Sequence, residues 1–336
     1  TNYREPALEK LHLDYATLHE MYPNMVYGSV NGFGPQGEDA HKAMLDGAAI
    51  ARGGLASMTG PDNHKPCVPG AVVGDTGGAM QLALGIMTAL LARERGHGGQ
   101  RVQTSALGTQ LWLQQWELTH VSMTGHELAR SGSHHPNIYG SYGVYETQDG
   151  GAILLAQTMD SESWDALCLF ADVPELAIDP RLQTPGQRLG EGLNEDDSAH
   201  IRGRLAEGFK TKTALEWDSF LRTLPEVIWE RVRSYNEVLE DPQSVANDYV
   251  VEVEIPGIGN KKTIGNLVTL SETPGSPKGN PPVLGEGNDE ILAEVGLDAD
   301  LVNTVTERAA SVREDLIAQA AEMNAELRAE IEANYR

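Results

Sequence analysis

A glycine-rich turn that leads directly into a long apolar helix constrains the fold of this chain more than any other feature. Residues 74–78 read Gly-Asp-Thr-Gly-Gly, follow the strand-like residues 71–73, and precede the apolar, helix-spaced run 79–92. Strand, tight turn and helix in this order are typical of α/β folds, which place functional groups at the carboxyl ends of parallel strands. We therefore expect Asp75 to lie at the end of a strand, beside a helix N-terminus.

The position of Asp75 favours an ionised carboxylate. The free N–H groups of a first helical turn and the positive end of the helix dipole both stabilise negative charge, and flanking glycines let a bulky substrate approach the backbone. Such a carboxylate can attack a thioester or another activated acyl group. Aspartate before a helix is also among the commonest N-caps. The local sequence leaves both roles open and by itself favours capping.

The chain carries a strong negative charge. Its 336 residues are enough for a large core and two lobes, and 49 Asp and Glu against 25 Lys and Arg give a formal net charge of −24. No long basic cluster offsets this charge, which argues against nucleic acid or an anionic membrane as a partner. Arg4, Lys10, His41 and Lys42 form a small basic set that suits an anionic substrate or an ordinary solvated surface equally.

Cysteine usage and motif content exclude several classes of protein. Cys67 and Cys168 are too few and too far apart for a disulfide framework or a metal knuckle, and the ten histidines are scattered. The sequence has no P-loop, HExxH or GxSxG motif, no signal-peptide pattern and no long apolar run. We therefore predict a soluble cytoplasmic protein without a metal.

Helix-like and strand-like segments alternate in the first part of the chain. Helical patterns at 7–21, 41–58, 80–95 and 108–131 are interrupted by strand-like segments at 25–30 and 101–105. This alternation predicts an α/β fold with a parallel sheet. In the last of these helices, Trp112 and Trp116 lie one turn apart and are interpreted as packing residues.

A second lobe begins with a β-hairpin. Strand-like residues 144–147 and 152–156 flank an Asp-Gly turn, which is typical of a hairpin. We predict a large catalytic domain over 1–130, a linker over 131–150 and a small domain over 151–272. A Pro- and Gly-rich linker over 273–287 then returns the chain to the large domain at 288–336, which ends in an amphipathic helical tail.

Ten short segments, spread in order along nearly the whole chain up to about Asp298, carry a resemblance to a known family. They include Asn-Tyr-Arg-Glu-Pro at 2–6 and Gly-Asp at 74–75, and the full set comprises residues 2–6, 13–15, 27–34, 53–60, 74–75, 91–100, 145–150, 179–181, 241–243 and 281–286. Together they resemble the family III CoA-transferases, which include formyl-CoA transferase and the carnitine-related CoA-transferase. The resemblance implies a Rossmann-like large domain with a parallel sheet, a smaller α+β domain and an interlocked homodimer.

The resemblance also implies roles for individual residues. Asp75 matches the catalytic aspartate of the family, which overturns the local preference for capping. The resemblance implies that Asn2 contacts CoA and that Lys10 contacts its nucleotide phosphates. It also implies that Asp46 is an acidic side chain of the pocket. Gly140 and Gly143 lie where transferases carry a mobile glycine loop, although this chain reads Tyr-Gly-Ser-Tyr-Gly there. Backbone N–H groups around Gly77, Gly78 and Gly140 are candidate oxyanion donors.

By this resemblance the substrates are an acyl-CoA donor and a carboxylic acid acceptor, and coenzyme A takes part as the acyl-CoA. Asp75 would form a mixed anhydride and then an aspartyl-CoA thioester. Family members begin with a segment that this chain lacks, so the chain is interpreted as incomplete or as one subunit of a split enzyme whose other chain supplies that segment.

Two other functions stay open. A non-catalytic CoA-binding or scaffold homologue would keep the lobes without the chemistry of Asp75. An acyl-CoA racemase or hydrolase is disfavoured, because the histidine that racemases of this family add would fall on Met44 and the nearby His41 is out of register.

Overall fold

The computed structural model describes residues 1–255, 258–275, 282 and 285–334. They form two compact units, Thr1–Val232 and Arg233–Arg336. No helix in the described part of the chain combines the length and the apolar character needed to cross a membrane.

The first unit combines a parallel pair of strands, an antiparallel sheet and twelve α-helices. Its strands are β1 (Tyr27–Asn31), β2 (Arg101–Ser105), β3 (Gly143–Glu146), β4 (Ala152–Thr158) and β5 (Val227–Arg231). Its helices are α1 (Glu5–Lys10), α2 (Tyr15–Met21), α3 (Asp46–Arg52), α4 (Leu55–Met58), α5 (Val73–Ala92), α6 (Ala106–Leu113), α7 (Gln115–Thr124), α8 (Ser161–Phe170), α9 (Pro174–Ala177), α10 (Pro185–Leu189), α11 (Glu195–Phe209) and α12 (Ala214–Leu221).

β1 and β2 pair in parallel, in register from Tyr27 opposite Arg101 to Asn31 opposite Ser105. Helix α5 packs across this pair, and glycines allow the close approach: a Cβ on Gly28 would lie 2.6 Å from Ile86, and one on Gly85 would lie 2.6 Å from Val102. The predicted α/β class with a parallel sheet is confirmed for this part of the chain.

The expected strand at 71–73 is wrong. Helix α5 begins at Val73, so Asp75 lies inside its first turn and not at the end of a strand. Val72 precedes the helix and provides no side-chain cap. The stretch becomes helical because the carboxylate of Asp46, distant in sequence, accepts the N–H groups that begin the helix.

The predicted long helix at 108–131 is two helices. It breaks at Gln114, whose φ and ψ of −105° and 23° are not helical, and the second helix ends at Gly125 with a positive φ of 71°. Ser105 caps the first of them by accepting the N–H of Gly108 at 3.0 Å.

The predicted hairpin is confirmed, since β3 and β4 pair antiparallel around the Asp-Gly turn and β5 joins on the other edge of β4. The main core of the unit packs on this sheet. Tyr145 stacks on Phe209 and Phe209 on Trp217, with ring centroids 4.7 and 4.1 Å apart. The indole N–H of the buried Trp217 donates to the main-chain oxygen of Phe209 at 2.9 Å, so its one polar group is satisfied.

The second unit holds an antiparallel strand pair and four described helices. They are α13 (Tyr235–Leu239), α14 (Pro242–Ala246), β6 (Val250–Ile255), β7 (Gly259–Ile264), α15 (Asn288–Glu294) and α16 (Ala299–Asn334). Of the predicted linker 273–287, residues 276–281 and 283–284 lie outside the described residues. Half of the family-like segment 281–286 and the end of the predicted tail, 335–336, lie outside them too. The proposed division into a large and a small domain stays a prediction.

Candidate active site

A cavity of about 900 Å³ in the first unit brings Asp75 together with the start of the chain. Its walls are formed by residues 2–5 and 7, the end of β1, the loop that leads to α3, the beginning of α5, and side chains of β2. Residues 1–2 reach this wall because Thr1 runs beside β1: its main-chain nitrogen donates to the oxygen of Gly28 at 2.9 Å, and Val30 donates to the oxygen of Thr1 at 3.0 Å. Asn2 and Asp75 therefore line one cavity.

The side chain of Asp75 is exposed within this cavity. Among the residues that the structure describes, no group donates a hydrogen bond to its carboxylate or forms an ion pair with it. Its own main-chain N–H is held by Asp46. A carboxylate with free oxygens, fixed by its backbone on a helix, is available to attack an electrophile.

Asp46 anchors the turn that carries Asp75. It is the first residue of α3, and its Oδ1 accepts the N–H of Gly74 at 2.6 Å and the N–H of Asp75 at 3.1 Å. It supplies the acceptor that the first turn of α5 would otherwise lack. Asp46 is not among the residues that line the cavity. In this structure it influences the site by holding the backbone of Asp75.

The glycines of the 74–78 segment allow close helix packing. A Cβ on Gly74 would lie 3.0 Å from Asp46 Oδ1, and a Cβ on Gly77 would lie 2.5 Å from Thr109 Cγ2 of α6. Gly77 thus faces a neighbouring helix. Gly77 and Gly78 also follow the first four residues of α5, whose N–H groups are the ones without a helical acceptor. Their predicted role as oxyanion donors stays a prediction.

Most of the predicted basic set lies in the cavity wall. Arg4, His41 and Lys42 line it, whereas Lys10, the last residue of α1, does not. No described residue forms an ion pair with Arg4, and Lys42 is 4.0 Å from its nearest carboxylate. Arg4 and Lys42 give an otherwise acidic chain a local positive rim suited to an anionic ligand.

The loop that forms one side of the cavity is held by Arg52 of α3. The Arg52 guanidinium hydrogen-bonds Asp39 and lies 5.0 Å from the centre of the Phe33 ring, and Lys42 lies 5.5 Å from the same ring. The hydrogen bond from Arg52 holds the pKa of Asp39 below its ordinary value. Contacts with α3 therefore hold this loop in place, and the opposite side of the loop lines the cavity.

Gly140 and Gly143 lie away from this cavity in the described chain. The N–H of Gly140 donates to the oxygen of Leu189 at 3.1 Å, and a Cβ there would overlap the oxygen of Arg188, while Gly143 begins β3. Neither lines the cavity with Asp75. Their role in a mobile loop stays a prediction.

Sequence reasoning missed two parts of the site. The loop residues Pro35, Ala43 and Leu45 line the cavity, and nothing in their residue types indicated it. Gln110 of α6 is fully buried behind the turn that holds Asp75. In the sequence, the only indication of this role was that Gln110 is a polar residue within the largely apolar run 106–113.

No group of three or more His, Cys, Asp or Glu side chains within the described ranges could hold a metal ion. The burial of Cys168 in the main core raises the pKa of its thiol, which makes it an unreactive packing residue. The residues that line the cavity include a carboxylate, Asp75, and the cationic side chains Arg4 and Lys42.

Comparison with known proteins identifies the family. A family model described as "CoA-transferase family III" matches residues 1–288. A succinyl-CoA:mesaconate CoA-transferase of Haloarcula marismortui is 30% identical over 303 residues, 88% of this chain and 73% of that protein. A formyl-CoA:oxalate CoA-transferase of Afipia carboxidovorans is 29% identical over 315 residues, 88% of this chain and 72% of that protein.

A solved structure shares the fold. The crystal structure of a CAIB/BAIF family protein from Brucella suis matches with a TM-score of 0.71 and 23% identity, over 88% of this chain and 74% of that one. The resemblance and the fold class predicted from the sequence are both confirmed. The chain belongs to CoA-transferase family III.

Proposed function

We propose that this protein transfers coenzyme A from an acyl-CoA donor to a carboxylic acid acceptor, with Asp75 as the nucleophile. The observation that carries the proposal is the exposed carboxylate of Asp75, without a partner among the described residues, on the wall of a cavity of about 900 Å³. The relatives are named for this kind of reaction.

The cavity suits a CoA thioester. The diphosphate and phosphate groups of CoA are anionic, Arg4 and Lys42 supply cations on the cavity wall, and His41 adds an imidazole N–H. Asn2 lies in the same wall and offers an amide for a polar contact. Asp75 lies on the same cavity wall, so the proposal places the thioester carbonyl beside the first turn of α5.

The reaction proceeds in four balanced steps. A carboxylate oxygen of Asp75 attacks the thioester carbonyl and expels CoA thiolate, which leaves an acyl-aspartyl anhydride. The thiolate attacks the aspartyl carbonyl and releases the donor carboxylate, which leaves an aspartyl-CoA thioester. The acceptor carboxylate attacks this thioester and again expels the thiolate. The thiolate then takes the acceptor acyl group and frees Asp75, so one difficult exchange becomes several easier ones.

Trapping with hydroxylamine tests the proposal. The protein is incubated with succinyl-CoA or formyl-CoA and hydroxylamine, and the peptide that contains Asp75 is examined by mass spectrometry. We expect an aspartyl hydroxamate at Asp75, and in Asp75→Asn we expect no hydroxamate and no transfer, with an unchanged circular dichroism spectrum. Near-parent turnover in Asp75→Asn would exclude Asp75 as the nucleophile.

We also propose that the protein works as an interlocked homodimer. Four large apolar side chains of α5, each between 52% and 75% exposed, form one stripe at helical spacing: Met80, Leu84, Met87 and Leu91. Trp112 and Trp116, also exposed, add to the apolar surface of the neighbouring helices. Large exposed apolar patches mark interaction sites.

The dimer proposal is tested by mass in solution. Multi-angle light scattering should report twice the chain mass of 36.3 kDa, and Leu84→Glu should shift the parent toward monomer. A parent protein that stays monomeric at micromolar concentration would contradict it.

A further inference from the structure

Gln110 is the polar side chain that the fold buries most completely behind Asp75. It is 0% exposed, on the face of α6 where α3 and the first turn of α5 meet it. Neither its amide nitrogen nor its amide oxygen has a hydrogen-bond partner among the described residues. A buried amide without partners destabilises a fold, so its presence needs an explanation, and a role in catalysis is one such explanation.

The position of the amide nitrogen indicates its target. Gln110 Nε2 lies 3.2 Å, and Asp46 Oδ1 lies 3.0 Å, from the point that a Cβ on Gly74 would occupy. The absent side chain of Gly74 thus leaves a gap into which an amide donor and a carboxylate acceptor both point. Because both atoms lie close to this one point, a rotation of the Gln110 side chain is the movement that would bring the amide into contact with the carboxylate.

Neighbouring residues confine the Gln110 side chain beside Asp46. A Cβ on Gly53, at the end of α3, would lie 2.6 Å from Gln110 Cβ, so the side chain is confined on that side too. The ionisable groups of the packed elements at this point are Asp46 of α3 and Asp75 of α5, while Arg52 of α3 is engaged by Asp39. α6 itself contributes no ionisable side chain.

We propose that Gln110 is a positioning residue: its amide N–H donates to the Asp46 carboxylate during acyl transfer and so fixes the backbone turn that presents Asp75. The inference rests on the proposed function, because it needs Asp75 to be the nucleophile. Asp46 already accepts two N–H groups of that turn, and a third donor would hold the carboxylate while the charge on Asp75 is lost to the anhydride.

The variant Gln110→Leu separates positioning from packing. It removes the amide at similar volume, so a buried group without partners is lost and the melting temperature should stay or rise. The kcat should fall at least tenfold, toward the hundredfold loss that a displacement of about 1 Å costs, with KM for the acyl-CoA unchanged. A fall in melting temperature with parent kcat, or a rise in KM alone, would overturn the proposal.

A matched control lies one turn further along the chain. Gln114 is also buried, and its amide donates to the main-chain oxygens of Gly53 and Gln110 at 3.0 and 2.9 Å. Gln114→Leu should lower the melting temperature, because it breaks these bonds, and leave kcat near the parent value. An equal loss of kcat in both variants would reduce Gln110 to a packing residue.

The variant Gln110→Glu adds a measurement, the pH dependence of kcat, that a purely structural role of Gln110 would not change. The new carboxyl group would be buried beside Asp46, which raises its pKa. When this carboxyl group is protonated it can donate a hydrogen bond to Asp46, and when it is ionised it repels Asp46. The ratio of the variant's kcat to the parent's kcat should therefore rise as the pH falls. A ratio that is flat with pH while the variant stays folded would contradict the proposal.

The outcomes are distinguishable from a failure of the proposed function. If Asp75→Asn still transfers CoA at the parent rate, the proposed function fails whatever Gln110 does. If Asp75→Asn is inactive and Gln110→Leu retains the parent kcat, the proposed function stands and only the inference about Gln110 is lost.

Discussion

Replacing Asp46 tests whether a single side chain holds the nucleophile's turn in place. Asp46 Oδ1 accepts the N–H of Gly74 at 2.6 Å and that of Asp75 at 3.1 Å. Asp46→Ala deprives both donors of this acceptor. Asp46→Asn keeps an oxygen in place and removes its charge.

The size of the effect on stability follows from these two bonds. A hydrogen bond to a charged group contributes about 1.5–3 kcal/mol. The shorter hydrogen bond involves the N–H of the buried Gly74, and the longer one involves the N–H of the exposed Asp75. We therefore assign the longer bond a free energy at or below the low end of that range. Asp46→Ala should lower the free energy of unfolding by about 3 kcal/mol, and Asp46→Asn by about half of that, because neutral hydrogen bonds are roughly half as strong.

The effect on activity should be larger than the effect on binding. Without its acceptor the first turn of α5 can relax, and a displacement of about 1 Å at a reacting group costs about a hundredfold in rate. We expect kcat to fall about a hundredfold in Asp46→Ala and less in Asp46→Asn. KM for the acyl-CoA should be unchanged, because Asp46 does not line the cavity.

Urea unfolding and steady-state kinetics at neutral pH measure both quantities. Asp14→Ala is the matched control, because Asp14 caps α2 by accepting the N–H of Thr17 at 3.0 Å and lies outside the cavity wall. It should lower stability and leave kcat unchanged. A parent kcat in Asp46→Ala would refute the view that Asp46 acts by holding Asp75.

Three further predictions follow from the described contacts. Lys42→Ala should raise KM for acyl-CoA about tenfold with little change in kcat, as the loss of a charge-assisted phosphate contact does, and Lys10→Ala, outside the cavity wall, should raise it less in the same assay. Gly140→Ala should lower the free energy of unfolding by about 3 kcal/mol in urea titrations, because its Cβ would overlap a facing carbonyl oxygen. The hydrogen bonds from Arg181 hold the pKa of Asp179 below its ordinary 3.8, so the stability that Asp179 contributes is present above about pH 3.8 and lost as the pH falls through the lower folded-state value. Asp179→Asn should therefore flatten the acid side of a melting-temperature profile.

The family and the coarse fold could be predicted because their signals are local and repeated. The β3–β4 hairpin follows from alternating residues around an Asp-Gly turn, and the parallel pair β1–β2 from strand-like segments separated by helical ones. Asp75 and Asn2 were assigned by resemblance, and the structure places both on one cavity.

The remaining details depend on contacts between residues far apart in sequence. Three apolar residues before a glycine suggest a strand at 71–73, yet Asp46, far earlier in the chain, supplies the acceptor that lets a helix begin there. Gln110 is buried because Gly53 and Gly74 lack side chains at the point where three helices meet. No local pattern encodes such a meeting point.

The central claim, that Asp75 is covalently acylated, is tested most directly by following oxygen. When the acceptor carboxylate attacks the aspartyl-CoA thioester and the thiolate resolves the anhydride, one acceptor oxygen stays on Asp75. After turnover with an acceptor labelled with heavy oxygen, mass spectrometry of the peptide that contains Asp75 should show the label on that carboxylate. Full turnover with no label on Asp75 would contradict the account.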